Sequence, residues 1–248
     1  MSEPTPALAP ENATIIDDLI EIWTSPSAVF RRRADSGFFL MMCILTVVIG
    51  ALFFANRGVL QGVMDAEMNR RFAAAAAQGQ AVPPEAIAMA KKWGGIFGTF
   101  GAFVGVPIGI LVVGLGTLLS GKIVGADDEF GYGKATMIAA YSFVPKVLSM
   151  LVVTVQGVLM DTNMITSPYQ ISTSVARFFD PNMNAGLLAL LGRVDIFTLW
   201  SSLLIGIGVA VVGKTSRTKI LPAAAVIFLL GAVPAGWQLL MGALRGTP

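Results

Sequence analysis

Not one histidine stands in this chain, and there is a single cysteine, Cys43. Without histidine there is no Ser–His or Cys–His nucleophile pair and no His-containing zinc site. One cysteine allows neither an intrachain disulfide nor a cysteine-rich metal site. Cys43 lies inside an apolar run, where a thiol serves as a small packing group. Charge is scarce too: 13% of residues carry it, against about 25% in an average soluble domain. A net charge of +2 is too small to point to nucleic acid as a partner. Lysine and arginine are missing from the first 30 residues, which carry Glu3, Glu11, Asp17, Asp18 and Glu21 instead. That is the reverse of a signal-peptide n-region.

What is present is apolar length. Five runs, Gly37–Asn56, Gly94–Gly121, Ala135–Met160, Val194–Gly213 and Ile220–Leu244, are almost free of charge. Each has about 20 residues or more, enough helix to cross a hydrocarbon core of roughly 30 Å. The runs are too long and too little alternating for barrel strands. The expected fold is an all-α polytopic membrane protein: five transmembrane helices with an amphipathic N-terminal helix. Its parts are a disordered tail over 1–13, a cytoplasmic interfacial segment over 14–36 and a membrane domain over 37–244.

Orientation is read from lysine and arginine near the span ends. Arg31, Arg32, Arg33, Lys122, Lys134, Lys214, Arg217 and Lys219 fall on one side. Arg57, Arg70, Arg71, Lys91, Lys92, Arg177, Arg193 and Arg245 fall on the other, a tie in number. The first set sits in short connections, above all the hairpin Lys214–Lys219, so density places the N-terminus in the cytoplasm and the C-terminus outside. Thr14-Ile15-Ile16-Asp17 predicts a capped helix start. Ile15, Ile16, Leu19, Ile20 and Trp23 mark one side of that helix and Asp17, Asp18 and Glu21 the other. Its acids disfavour anionic lipid and favour packing on protein.

Candidate residues are few. Gly94, Gly98, Gly101, Gly105 and Gly109 line one face of the second run, a spacing that lets helix backbones approach, in this chain or from another copy. Lys146 follows Pro145 about 10 residues into the third run, roughly 15 Å deep. A charge at that depth costs on the order of 3 kcal/mol and marks a functional candidate; the alternative is a lysine snorkelling to the cytoplasmic interface. Thr154 and Gln156 read as interhelical hydrogen-bond partners. Asp195, with Arg193, flanks the fourth run as an interfacial or locally paired charge. Val175–Phe179 and Leu187–Leu191 read as turns of helix at the membrane edge. Asp127-Asp128-Glu129 reads as a solvated turn, since it lacks the ligand spacing of a cation loop.

Several of these stretches resemble one family. Val194-Asp195-Ile196-Phe197-Thr198-Leu199-Trp200 and the hairpin Lys214–Lys219 resemble the Asp-x-Phe-x-x-Trp span and basic hairpin of bacterial Yip-domain proteins. Those belong with the Ypt/Rab-interacting membrane proteins. Tyr132-Gly133 with Ala139-Ala140-Tyr141-Ser142-Phe143-Val144-Pro145 is similar to that family's third-span entry. Ser25-Pro26-Ser27-Ala28-Val29-Phe30 is similar to its N-terminal Pro-x-x-x-Phe segment. The resemblance runs from about Thr14 to Leu244. It implies a five-span, non-enzymatic protein of the bacterial inner membrane. Eukaryotic relatives meet Rab-type GTPases, but the resemblance carries no such partner over to this chain.

The function expected is a scaffold or assembly partner in the bilayer, joined to other membrane proteins or to copies of itself. No cofactor, metal or nucleic acid is expected. A small transporter or channel working through Lys146 is the alternative. An intramembrane aspartyl protease needs two carboxylates at depth, and Asp195 is the single acid near a span.

Overall fold

The computed structural model describes residues 13–77, 79–80, 82–160, 165 and 167–244. The expected tail, apart from Ala13, lies outside them. Thr14 starts α1 (Ile15–Glu21): its hydroxyl accepts from the Asp17 amide while the Asp17 carboxylate accepts from the Thr14 amide, a reciprocal cap. Pro26 opens α2 (Pro26–Arg33), at a position where the missing N–H has no helical partner to lose. The two short helices fold back on each other and enter the bundle as a hairpin. Ile22, Val29 and Phe30 are fully buried in the main core. The Trp23 ring stacks on Trp200 with centroids 6.5 Å apart.

The hairpin reverses part of the expected amphipathicity. Ile15, Leu19 and Trp23 pack inward, but Ile16 and Ile20 are 68% and 65% exposed while Asp18 is fully buried. Arginine is the reason. Arg33 Nε donates to Asp18 Oδ2 at 2.6 Å, Arg32 Nε to Oδ1 at 3.1 Å, and the Tyr141 hydroxyl to Oδ2 at 3.2 Å. A buried carboxylate is tolerated when charge and hydrogen bonds both answer it. Of the triplet Arg31, Arg32 and Arg33 counted for orientation, two are therefore spent on this contact.

Next come α3 (Phe39–Ala55) and α4 (Arg57–Ala77), joined at Asn56, whose side chain donates to the Leu52 carbonyl at 2.7 Å. The 41-residue α5 (Pro84–Val124) begins on a proline and ends at Gly125, whose φ of 82° makes the left-handed cap that glycine adopts without strain. Then follow α6 (Tyr132–Ser142), α7 (Val144–Leu159), α8 (Ala185–Arg193), α9 (Ile196–Val212) and α10 (Ile220–Leu244). No strand occurs among the described residues.

This is an all-helical, multi-pass membrane protein. Phe100–Val124, Tyr132–Leu159 and Arg217–Leu244 are long and apolar enough to cross a bilayer. Phe39–Ala55 reaches that length jointly with Leu60–Ala73 across a 75° bend, and Ile196–Val212 is a 17-residue apolar helix. By length alone, three or four spans stand rather than five.

Glycines seat the helices on one another. A Cβ at Gly114 would meet the Thr136 backbone at 3.1 Å, and one at Gly208 would meet the Ile138 side chain at 2.5 Å. At Gly206 it would strike the Ile220 carbonyl. At one end of the bundle the α5–α6 and α9–α10 turns meet, the Asp127 amide donating to the Gly213 carbonyl at 3.0 Å. The Lys214 amine bridges Asp127 and Glu129 at 3.2 and 3.1 Å, so these acids hold a lysine.

Candidate functional site

Two pairs of successive helices are parted by short breaks, and residues beside both breaks border one cavity. The first parts α6 from α7 at Phe143. Pro145 has no N–H to offer the Tyr141 carbonyl, and the Lys146 amide turns to the Phe143 carbonyl at 2.9 Å. The second parts α8 from α9 at Val194–Asp195. Asp195 caps α9, its Oδ1 accepting from the Phe197 and Thr198 amides at 3.0 and 3.1 Å. Its Oδ2 accepts from the Thr173 hydroxyl. Irregular backbone at membrane depth persists where protein surrounds it or a cavity borders it.

Lys146 stands fourteen residues after Tyr132 and thirteen before Leu159 in its apolar stretch, about 20 Å from either end. Its amine donates to the Thr198 hydroxyl at 3.4 Å. The lysine thus turns toward α9 within the bundle. A hydroxyl on α9 receives it.

Arg193 belongs to the same place. The sequence puts Leu187–Leu191 at the membrane edge, whereas α8 runs alongside α10. Gly186 lies against the backbone of Leu239, and seven residues later Arg193 donates to the Phe228 carbonyl at 3.0 Å. The guanidinium rests 5.3 Å from the Phe228 ring centroid and fills the space a side chain on Gly231 would need. Phe228 is eight residues into α10, about 12 Å from its start. Apolar helix packing draws the arginine inward, and Gly231 makes room for it.

Between the breaks lies a cavity of about 500 Å³, bordered by Lys146, Arg193, Thr198, Ser142, Ser201 and Ser202. Arg193 Nε and the hydroxyls of Ser142 and Ser201 are buried and have no hydrogen-bond partner. Among the described residues no carboxylate lies within ion-pair distance of Lys146 or Arg193. A second cavity of about 480 Å³ touches Phe143 and Lys146 from the other side, with Ile49, Val63 and Val153 among its apolar walls.

The remaining candidates lie elsewhere. Thr154 donates to the Met150 carbonyl of its own helix, and Gln156 has its buried Oε1 unpartnered; neither reaches Lys146. Gly94, Gly98, Gly101, Gly105 and Gly109 all fall in α5. A Cβ at Gly94 would meet Met68 at 3.4 Å and one at Gly109 would meet Phe143 at 3.5 Å, whereas Gly101 and Gly105 have nothing within 4 Å. The site members that sequence reasoning passed over are Thr198, Ser142 and Ser201, and Arg193, read from sequence as an interfacial or locally paired charge, joins them. Gly231, facing an arginine across two apolar helices, was the available signal, but pairing it with Arg193 requires the fold.

Comparison with curated proteins and with solved structures finds no match to this chain. A family model described as the Yip1 domain matches residues 20–238. That match runs from α1 into the far part of α10 and so takes in both breaks. The chain belongs to the Yip1 domain family.

Proposed function

We propose that the protein is a non-enzymatic assembly partner in the bacterial inner membrane, making side-by-side contacts with other membrane proteins or with a second copy. Supporting this is the contrast along α5. Gly114 and Gly121 are occupied by Thr136 and the Phe130 ring, while a Cβ at Gly101 or Gly105 on the same helix meets nothing within 4 Å, Gly105 bordering the cavity of about 480 Å³. Small residues at four-residue steps let a foreign helix come close, and this chain leaves that stretch unfilled.

The test is Gly101→Leu with Gly105→Leu, examined by crosslinking in native membranes and by particle mass in mild detergent. The leucines enter open space, so thermal stability stays unchanged while crosslinked species disappear. A wild-type particle that is strictly monomeric and captures nothing removes the proposal. The topology that accompanies it is five passes, N-terminus cytoplasmic and C-terminus outside, with no cofactor, metal or nucleic acid.

A second reading, a small transporter or channel, draws on the two cavities that both border Phe143 and Lys146. Lys146→Met in proteoliposomes decides it: anion flux equal to wild type ends that reading.

A further inference from the structure

We infer that the cavity between the two breaks is a binding site for an anionic head group, a phosphate held between Lys146 and Arg193. The inference is independent of the assembly reading. Three observations carry it.

The first is charge. The cavity wall holds two cations. Asp195 caps α9 one turn before Thr198, and among the described residues no carboxylate is within ion-pair distance of either cation. Asp195 is already engaged by two backbone amides and the Thr173 hydroxyl. Two cationic side chains on the wall thus face a single acid that is already engaged, and an anion in the cavity answers the remaining charge.

The second is unspent hydrogen bonding. Arg193 Nε, Ser142 Oγ and Ser201 Oγ border the cavity buried and without partners. Such groups are rare unless something occupies the space beside them. A guanidinium, an ammonium and hydroxyls match the oxygens of a phosphate.

The third is the way in. Val112 and Leu115 line the same cavity yet are 59% and 57% exposed on the outer face of α5. The cavity thus has a sideways opening past the exposed face of α5, the face that hydrocarbon covers in a bilayer. An acyl chain following its head group would lie along Val112, Leu115 and Leu119. Free phosphate offers the same oxygens without a tail, so the lateral mouth favours a phospholipid.

The experiment measures thermal stability of detergent-purified protein with four additions: phosphatidylglycerol, phosphatidylcholine, inorganic phosphate and none. Phosphatidylglycerol raises Tm by several degrees in the wild type and in Lys146→Arg, and by much less in Lys146→Met. Phosphatidylcholine and inorganic phosphate leave Tm nearly unmoved. Should Lys146→Met fold poorly, Leu115→Trp, which plugs the mouth from the lipid side, abolishes the shift with both cations in place. An equal shift from phosphatidylcholine overturns the head-group assignment, and an equal shift from inorganic phosphate overturns the lipid source. A full phosphatidylglycerol shift retained by both Lys146→Met and Leu115→Trp overturns the site.

Discussion

Asp18 shows how one residue fixes the N-terminal segment. Its carboxylate is fully buried and is held by Arg32, Arg33 and the Tyr141 hydroxyl. Removing one partner of a buried pair leaves the other unanswered and costs about 3–5 kcal/mol. Arg33 retains 22% of its side-chain exposure, so solvent returns part of that, and the lower figure applies. Asp18→Asn accordingly lowers Tm by roughly 6–12 °C, on the order of 3 kcal/mol at 2–4 °C each. Combining Asp18→Asn with Arg33→Gln recovers part of the loss in a thermal melt. A double variant no more stable than the single one shows that the arginine is not the cause. Nothing at positions 17, 18 and 21 says which acid turns inward; α2 decides it by where it brings Arg32 and Arg33.

Among the elements, the turns that meet at one end of the bundle lend themselves to a pH test. The amide of Glu129 and the ammonium of Lys214 hold Asp127 below its ordinary value of 3.8. Glu129, with Asp127, holds Lys214 above its ordinary 10.5. A depressed carboxylate stabilises the fold above its unfolded value and loses that effect as pH falls through the folded one. A raised lysine stabilises below its unfolded value and loses that effect as pH climbs through the folded one. The clasp therefore contributes in full from about pH 4 to about pH 10 and opens only beyond that, as pH falls through the depressed Asp127 value or climbs through the raised Lys214 value. Spin labels at Asp128 and Thr215 keep a constant separation across this range and move apart beyond it. In Lys214→Ala the separation is already broadened at neutral pH; a narrow, unchanged distribution there contradicts the clasp. The two breaks carry a similar lesson. Pro145 announces a helix break in the sequence, and the break at Val194–Asp195 falls where the sequence reads the boundary between an edge turn and the fourth run.

For the whole molecule, the point to establish is which end faces which compartment. Asp35 and Lys134 approach to 3.9 Å, and the Lys214 clasp joins the α5–α6 and α9–α10 turns. The proposed topology makes all of these cytoplasmic. With Cys43 replaced by serine, new cysteines at Ser36 and Ser216 resist an impermeant maleimide in intact cells and react after lysis. A cysteine at Gln80 reacts in intact cells. Labelling of Ser36 and Ser216 positions from opposite compartments breaks the five-pass arrangement.

Composition and run length alone determined that this is a helical membrane protein, because the bilayer tests long apolar stretches one at a time. The Yip-type stretches determined the family for a similar reason: they are local strings of residues. The meeting of Lys146 with Thr198, the inward course of α8 and the seat that Gly231 gives Arg193 belong to the tertiary structure. Each joins residues more than thirty positions apart, and their relation depends on helix depth and rotation, which no linear pattern encodes. The same holds for the glycines. All of them read alike in sequence, but only packing decides that Gly114 and Gly208 are filled while Gly101 and Gly105 stay open.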